Sequence, residues 1–149
     1  MKITIETPGI GEEDEIIIRV AQLTEDIMET VRKLKNGDSK DSVAVNKDDA
    51  ILMLPTKEIF YFDAVDNRVF AYTKDRNYEI KMKLYEIEED NTFLSFIRVS
   101  KNTILNIKKI EHLSPEFNGR FVAKLLNGER IIISRGYVQA LKKKLGIVK

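Results

Sequence analysis

The amino-acid sequence predicts a mainly β fold, α+β overall: an antiparallel β domain with short helices, preceded by a small β–β–α unit. Three observations carry this expectation. Short runs rich in Val, Ile, Phe and Tyr recur between turn signals from Val43 to Ile133, without the strand–helix alternation of a parallel sheet. Asn127-Gly128, between the runs Arg120–Leu126 and Glu129–Ile133, is a strong two-residue hairpin signal. Helical spacing of apolar residues is confined to three stretches, following Thr24, Lys83 and Ser134.

Taken in order, Lys2 to Glu6 alternates apolar and polar like a strand, and Thr7-Pro8-Gly9-Ile10-Gly11 is a turn. Ile16-Ile17-Ile18-Arg19-Val20 is a dense β-branched run suited to pairing with Ile3-Thr4-Ile5. Thr24 is placed to cap a helix, with Glu25 and Asp26 in its positive first turn and Leu23 and Met28 as a hydrophobic staple. Ile27, Met28, Val31 and Leu34 form its apolar face, and Lys33, Lys35 and Gly37 close it. These residues make an N-terminal unit, 1–40, with an expected role in oligomerisation or docking. Asn36 to Lys40 is its polar linker to a second domain, 43–149.

That domain opens with a hairpin of Val43–Val45 and Ile51–Leu54 around Asn46-Lys47-Asp48-Asp49, stopped by Pro55. A second hairpin joins Ile59–Ala64 to Arg68–Thr73, and Tyr78–Lys81 follows. Lys83 to Asp90 suits a helix with Leu84 and Ile87 inward and Glu86, Glu88 and Glu89 in solvent. Phe96 to Ser100 suits a strand with one buried face, ahead of the polar corner Ser100-Lys101-Asn102-Thr103 and a second apolar run, Ile104–Ile107. Ile110–Ser114 is the next strand. After the terminal hairpin, Ser134 is placed to cap a helix whose stripe is Tyr137, Val138, Leu141 and Leu145, with Lys142, Lys143 and Lys144 near its negative end.

Composition excludes several chemistries. The absence of cysteine removes disulfides, thiolate metal sites and thiol nucleophiles, and fits a reducing cytoplasm. His112 is the single histidine, too few for a histidine metal cluster, and it suits a partly exposed structural role. Neither GxGxxG nor GxxxxGK[ST] occurs. The expectation is a chain with no enzymatic activity, cofactor, metal or small-molecule substrate, and with neither a membrane helix nor a signal peptide. Net charge is only +1, yet residues 91–149 hold 12 Lys/Arg against 3 Asp/Glu, while residues 1–50 hold 7 against 12. A basic C-terminal third suggests a polyanionic partner.

One segment identifies a candidate site. In Phe96-Ile97-Arg98-Val99-Ser100-Lys101-Asn102-Thr103-Ile104-Leu105-Asn106, two apolar runs anchor a corner bearing a cation and an amide, groups that bind phosphates and base edges. This segment resembles the core motif of LytTR-type DNA-binding domains of bacterial transcription regulators. The resemblance extends to Ile59–Ala64 with Asn67–Tyr72 upstream and to Leu126–Tyr137 downstream, and covers roughly Val43 to Leu145.

The resemblance implies an elongated antiparallel β domain that contacts bases with loops between strands. Carried over, the contact residues are Asn67 and Arg68, a choice left open by the variable length of that loop, then Ser100, Lys101 and Asn102, and finally Arg135. It also implies a homodimer on repeated double-stranded DNA sites. The 42 residues ahead of Val43 are too few for a phosphoacceptor receiver. The chain therefore looks like the compact, receiver-less members, for which control by a partner, often a membrane protein, is expected. The alternatives are a non-enzymatic protein-interaction module and an RNA-binding β protein.

Overall fold

A computed structural model describes residues 2–35 and 42–147. The chain divides into two compact units, Met1–Gly37 and Asp38–Lys149.

In the first unit, helix α1 (Glu25–Lys35) forms where the sequence predicts it. The Thr24 hydroxyl accepts from the Ile27 amide at 3.3 Å, the side-chain cap its position calls for. The staple does not form, since Leu23 is exposed. The two expected strands are also absent: residues 2–23 form no strand, and hold only a turn at Ile10-Gly11, closed by the Glu12 amide on the Gly9 carbonyl, and a bend at Ala21-Gln22. A strand is a relation between segments, and a lone two-stranded pair with both faces in water buries too little to offset its ordering. Ile5 is left 92% exposed and Ile16 72%. The linker residues and Gly37 lie outside the described residues.

The second unit holds two antiparallel sheets. Its strands are β1 (Ser42–Lys47), β2 (Ala50–Pro55), β3 (Tyr61–Val65), β4 (Arg68–Tyr72), β5 (Asn77–Ile80), β6 (Phe96–Arg98), β7 (Thr103–Asn106), β8 (Ile110–Pro115), β9 (Phe121–Leu125) and β10 (Arg130–Ile133). The larger sheet has the order β2-β1-β5-β4-β3-β7-β6, and the smaller β10-β9-β8. Helix α2 (Leu84–Glu89) precedes β6, and α3 (Val138–Lys144) ends the described chain.

Two cores explain the apolar pattern. One comprises Phe62, Val69, Ala71, Ile104 and Phe96 with Leu84, Ile87 and Phe93. The other comprises Tyr61, Leu105, Ala123, Leu125, Ile133, Val138 and Leu141. Neighbours on one strand go to opposite cores: Tyr61 and Phe62 on β3, Leu105 and Ile104 on β7. That is the period-2 alternation of a strand covered on both sides. The expectation of one buried face for Phe96–Ser100 is corrected here, because Phe96 packs into the first core and Ile97 against the second. Phe62, Phe93 and Phe96 meet with ring centroids 5.3–5.6 Å apart.

Turn chemistry fixes the registers. Asp48 (φ 48°) and Asp49 (φ 66°) form a two-residue turn closed by Lys47 and Ala50, as do Asp66 (φ 50°) and Asn67 (φ 64°) between Val65 and Arg68. Paired positive φ values suit the twist of a hairpin, and Asp and Asn tolerate them. The β9–β10 connection differs from the two-residue turn expected at Asn127-Gly128. The Gly128 and Leu125 amides donate to the Leu125 and Glu129 carbonyls, and Gly128 sits at φ 91°. The loop is therefore Leu126-Asn127-Gly128, with the glycine in the left-handed position.

Candidate nucleic-acid interface

The three segments singled out in the sequence come to one end of the larger sheet. Because β3 and β7 are antiparallel with Asp63 opposite Thr103, the β3–β4 turn and the β6–β7 loop project from the same end. The Ala64 amide donates to the Asn102 carbonyl at 2.9 Å, which joins that turn's strand to the loop. The Ser134 amide donates to the Val99 carbonyl at 2.9 Å, which brings the end of β10 and Arg135 to the same loop. Asn67, Lys101, Asn102 and Arg135 are exposed, and Ser100 is half-buried.

Arg98 shapes the loop from beneath. Its Nε donates to the Ser100 carbonyl at 3.0 Å, its Nη2 to the Lys101 carbonyl, and its Nη1 pairs with Glu88 of α2. A planar guanidinium fixes two successive carbonyls at once, which a lysine's point charge does not. The Ser100 hydroxyl accepts from the Asn102 amide at 3.4 Å, a weak local tie that closes the corner. The Thr103 hydroxyl donates to Asp63 at 3.0 Å. Lys101 carries no such tie and projects as a charge.

At the opposite end of the β6–β7 hairpin from the loop, Asn106, paired with Phe96, is 1% exposed. Its amide nitrogen donates to the Ile59 carbonyl at 2.9 Å, and its oxygen accepts from the Ser95 hydroxyl and the Lys108 amide at 3.0 and 3.1 Å. It pins β7 to the segments on either side and does not face solvent.

Arg68 and Arg135 differ in availability. The Nε and Nη2 of Arg68 donate to the two carboxylate oxygens of Glu79, at 3.0 and 2.9 Å. That hydrogen bond holds the Glu79 carboxyl below its ordinary range and pushes the Arg68 guanidinium up. Asn67, at the tip of the turn, is exposed, and so is Arg68, whose side chain is 59% exposed. Arg135 opens a 3-10 turn, Arg135–Tyr137, that runs into α3, and Ser134 makes no side-chain cap there, contrary to expectation. The 3-10 turn places the Tyr137 amide on the Ser134 carbonyl at 2.8 Å, a main-chain bond in place of one to the hydroxyl.

Sequence reasoning missed two features. Arg98 was legible as part of the motif, but its role beneath the loop depends on the fold. The β8–β9 loop carries no motif in the sequence, yet it lies beside Arg135: a Cβ on Gly119 (φ 76°) would stand 3.1 Å from the Cγ and Cδ of Arg135. Phe117 and Arg120 of that loop are exposed. By contrast, several cations stand over rings: Lys109 over Phe60 at 4.9 Å and Lys142 over Phe121 at 4.8 Å. His112 is exposed, 3.9 Å from Glu111. Among the described residues no group of three His, Asp or Glu side chains is placed to hold a metal, and no helix is long and apolar enough to cross a membrane.

Comparison with known proteins agrees with this geometry. The model of the LytTr DNA-binding domain matches residues 49–146. The sensory transduction protein LytT of Bacillus subtilis is 31% identical over 126 residues, 85% of this chain and 52% of that protein. A Staphylococcus aureus protein described as an uncharacterized HTH-type transcriptional regulator is 25% identical over 147 residues, 99% of both chains. The chain thus spans about half the length of the LytT relatives it matches, and nearly all of the S. aureus protein. A solved LytTr DNA-binding domain from Bacillus cereus superposes with a TM-score of 0.68 at 27% identity, covering 72% of this chain and 99% of that one. The chain belongs to the LytTr DNA-binding domain family.

Proposed function

We propose that this chain is a sequence-specific, double-stranded-DNA-binding transcriptional regulator that reads base edges with loop residues. Asn67 contributes from the β3–β4 turn, Lys101 and Asn102 from the corner shaped by Arg98, and Arg135 from the turn before α3. Arg68 and Ser100 serve mainly to hold their loops, through Glu79 and the Asn102 amide. Arginine offers a planar fork for guanine or phosphate, and asparagine a paired donor and acceptor for adenine.

The observation that carries this reading is the pair of backbone hydrogen bonds, Ala64 to Asn102 and Ser134 to Val99, which hold three separate loops at one end of the sheet. A rigid platform for exposed fork and amide groups is what base readout needs. The protein acts in the cytoplasm, without enzymatic activity, as a homodimer on repeated sites. Residues 1–40 serve as a docking unit for a regulatory partner, such as a membrane protein.

Selection of random duplex DNA on the purified protein, followed by sequencing of the bound pool, tests this. An enriched motif is expected. A pool with no enrichment, or equal affinity for single-stranded RNA, overturns it, because groove readout requires the duplex.

A further inference from the structure

The larger and smaller sheets meet through an apolar core, and apolar contact is not directional. Hydrogen bonds are directional, so polar ties at the margin of that core set the angle between the sheets. Among the described residues, such ties run from β10 to the larger sheet at both of its ends. Just after β10, the Ser134 amide donates to the Val99 carbonyl at 2.9 Å. Just before it, the Tyr61 hydroxyl donates to Glu129 Oε2 at 2.8 Å. Tyr61 opens β3, which runs from there toward the β3–β4 turn, so this second tie lies at the end away from the three loops.

Both partners of the far tie are held in place. The Tyr61 ring stacks on the Tyr72 ring, with centroids 4.6 Å and planes 10° apart, which directs its hydroxyl. Burial first, and then the hydrogen bond to Glu129, push the Tyr61 phenol up from its ordinary value, so it remains a donor. Glu129 Oε1 accepts from Asn127 Nδ2 at 2.8 Å, and the Glu129 amide donates to Asn127 Oδ1 at 3.1 Å. Asn127 Nδ2 also reaches the Lys74 carbonyl, just past β4, at 3.4 Å. Residues 91–149 hold three acids, Glu111, Glu116 and Glu129, and Glu129 alone of these has its side chain bonded to the larger sheet.

We propose that Tyr61 is a positioning residue for DNA readout, its bond to Glu129 setting the angle of β10 on the larger sheet and hence the aim of Arg135, which rests on the reading of Arg135 as a base contact. Two ties fix a line where one allows rotation. With the far tie gone, β10 turns about the Ser134–Val99 bond, and Arg135 follows that bond directly in the chain. A contact side chain has to be held within about 0.5 Å and 10–20° of its productive geometry, and a long arginine stem magnifies a small rotation at its root. Asn67, Lys101 and Asn102 stand on loops of the larger sheet and do not move with β10.

Tyr61→Phe removes the hydroxyl alone. The ring stack and the core are kept, and Glu129 is left in solvent, so the fold is retained. The test is the affinity ratio of the selected duplex to a scrambled one, in which sequence-independent charge effects cancel. Loss of stability alone lowers binding to both duplexes alike and leaves that ratio where it was. The ratio is expected to fall about threefold or more in Tyr61→Phe and in Glu129→Ala. Glu129→Gln restores it, because the amide oxygen still accepts from the phenol. In an Arg135→Ala background, Tyr61→Phe costs no further preference, because it acts through Arg135. Without DNA, the amide NMR signals of Ser134, Arg135 and Gly136 shift in Tyr61→Phe and Glu129→Ala, while those of Asn67 and Lys101 stay in place.

Where the wild type prefers its selected site, an unchanged ratio in Tyr61→Phe, a Glu129→Gln variant no better than Glu129→Ala, or a further loss in the Arg135→Ala background overturns the proposal. So do NMR shifts that stop short of Ser134 or that reach Asn67 and Lys101 equally. A wild type with no preference among duplexes overturns the base reading instead, and the DNA-free signals then decide by themselves whether the tie positions Arg135.

Discussion

At the scale of the residue, exposed groups proposed to face DNA separate from buried groups that hold the fold. Arg135 is of the first kind. Arg135→Ala is expected to flatten the preference among duplexes at a cost of about 1–3 kcal/mol, the value of a bidentate base contact, with the circular dichroism spectrum unchanged. Binding of the selected site and of a scrambled duplex, measured side by side by fluorescence anisotropy, checks this. Asn106 is of the second kind. Asn106→Ala leaves the Ile59 carbonyl, the Ser95 hydroxyl and the Lys108 amide without their partner, and is expected to destabilise the fold by about 2–3 kcal/mol in urea denaturation. Gly119 tests the same distinction from the side. Gly119→Val places branched carbons at φ 76° against the Arg135 stem, so specific affinity falls even though residue 119 offers DNA no functional group of its own.

At the scale of the element, the hairpins were legible because local chemistry dictates them. Asp48-Asp49 and Asp66-Asn67 are residues that tolerate positive φ, flanked by β-formers, and they turned where composition indicates. The N-terminal strands were not legible as absent. Ile3–Ile5 and Ile16–Val20 have strand composition, but composition cannot supply the partner or the cover that makes a strand stable. Similarly, a serine before a helical stripe signals a cap, yet the segment opens as a 3-10 turn whose Tyr137 amide bonds the Ser134 carbonyl and not its hydroxyl. The site divides in the same way. Asn67, Lys101, Asn102 and Arg135 were singled out through their motifs, and their exposure was not in the motifs, whereas the Arg98 fork and the Gly119 contact depend on loops distant in sequence.

The β4–β5 pair offers a test by pH. The Glu79 carboxyl, held low first by its hydrogen bond to Arg68, stabilises the folded chain above the ordinary carboxylate value near 4.5. That contribution is lost as pH falls through the lower folded value. Both partners are solvent-exposed at this pair, so the effect is small and salt-sensitive. Glu79→Gln is expected to lower stability at pH 7 while leaving it nearly unchanged near pH 3, where the wild type has lost the same interaction. Urea midpoints at the two pH values, with and without added salt, check the difference.

At the scale of the whole molecule, the question is what the N-terminal unit contributes. Both cores of the β domain are built from residues 43–145. Neither includes a residue of Met1–Gly37, the separate compact unit. Deleting residues 1–40 is therefore expected to leave the urea midpoint of the β domain within about 1 kcal/mol of its original stability, as for changes that leave a core intact. Affinity for one half-site follows the three loops and stays the same. Sedimentation and binding to single and paired sites separate the possibilities. A truncated protein that is folded and monomeric assigns assembly to the N-terminal unit. One that dimerises normally places assembly in the β domain and leaves Ile16, Ile18, Val31 and Leu34, which line an apolar pocket of about 570 Å³ with Asp14 and Glu15, free for a different partner.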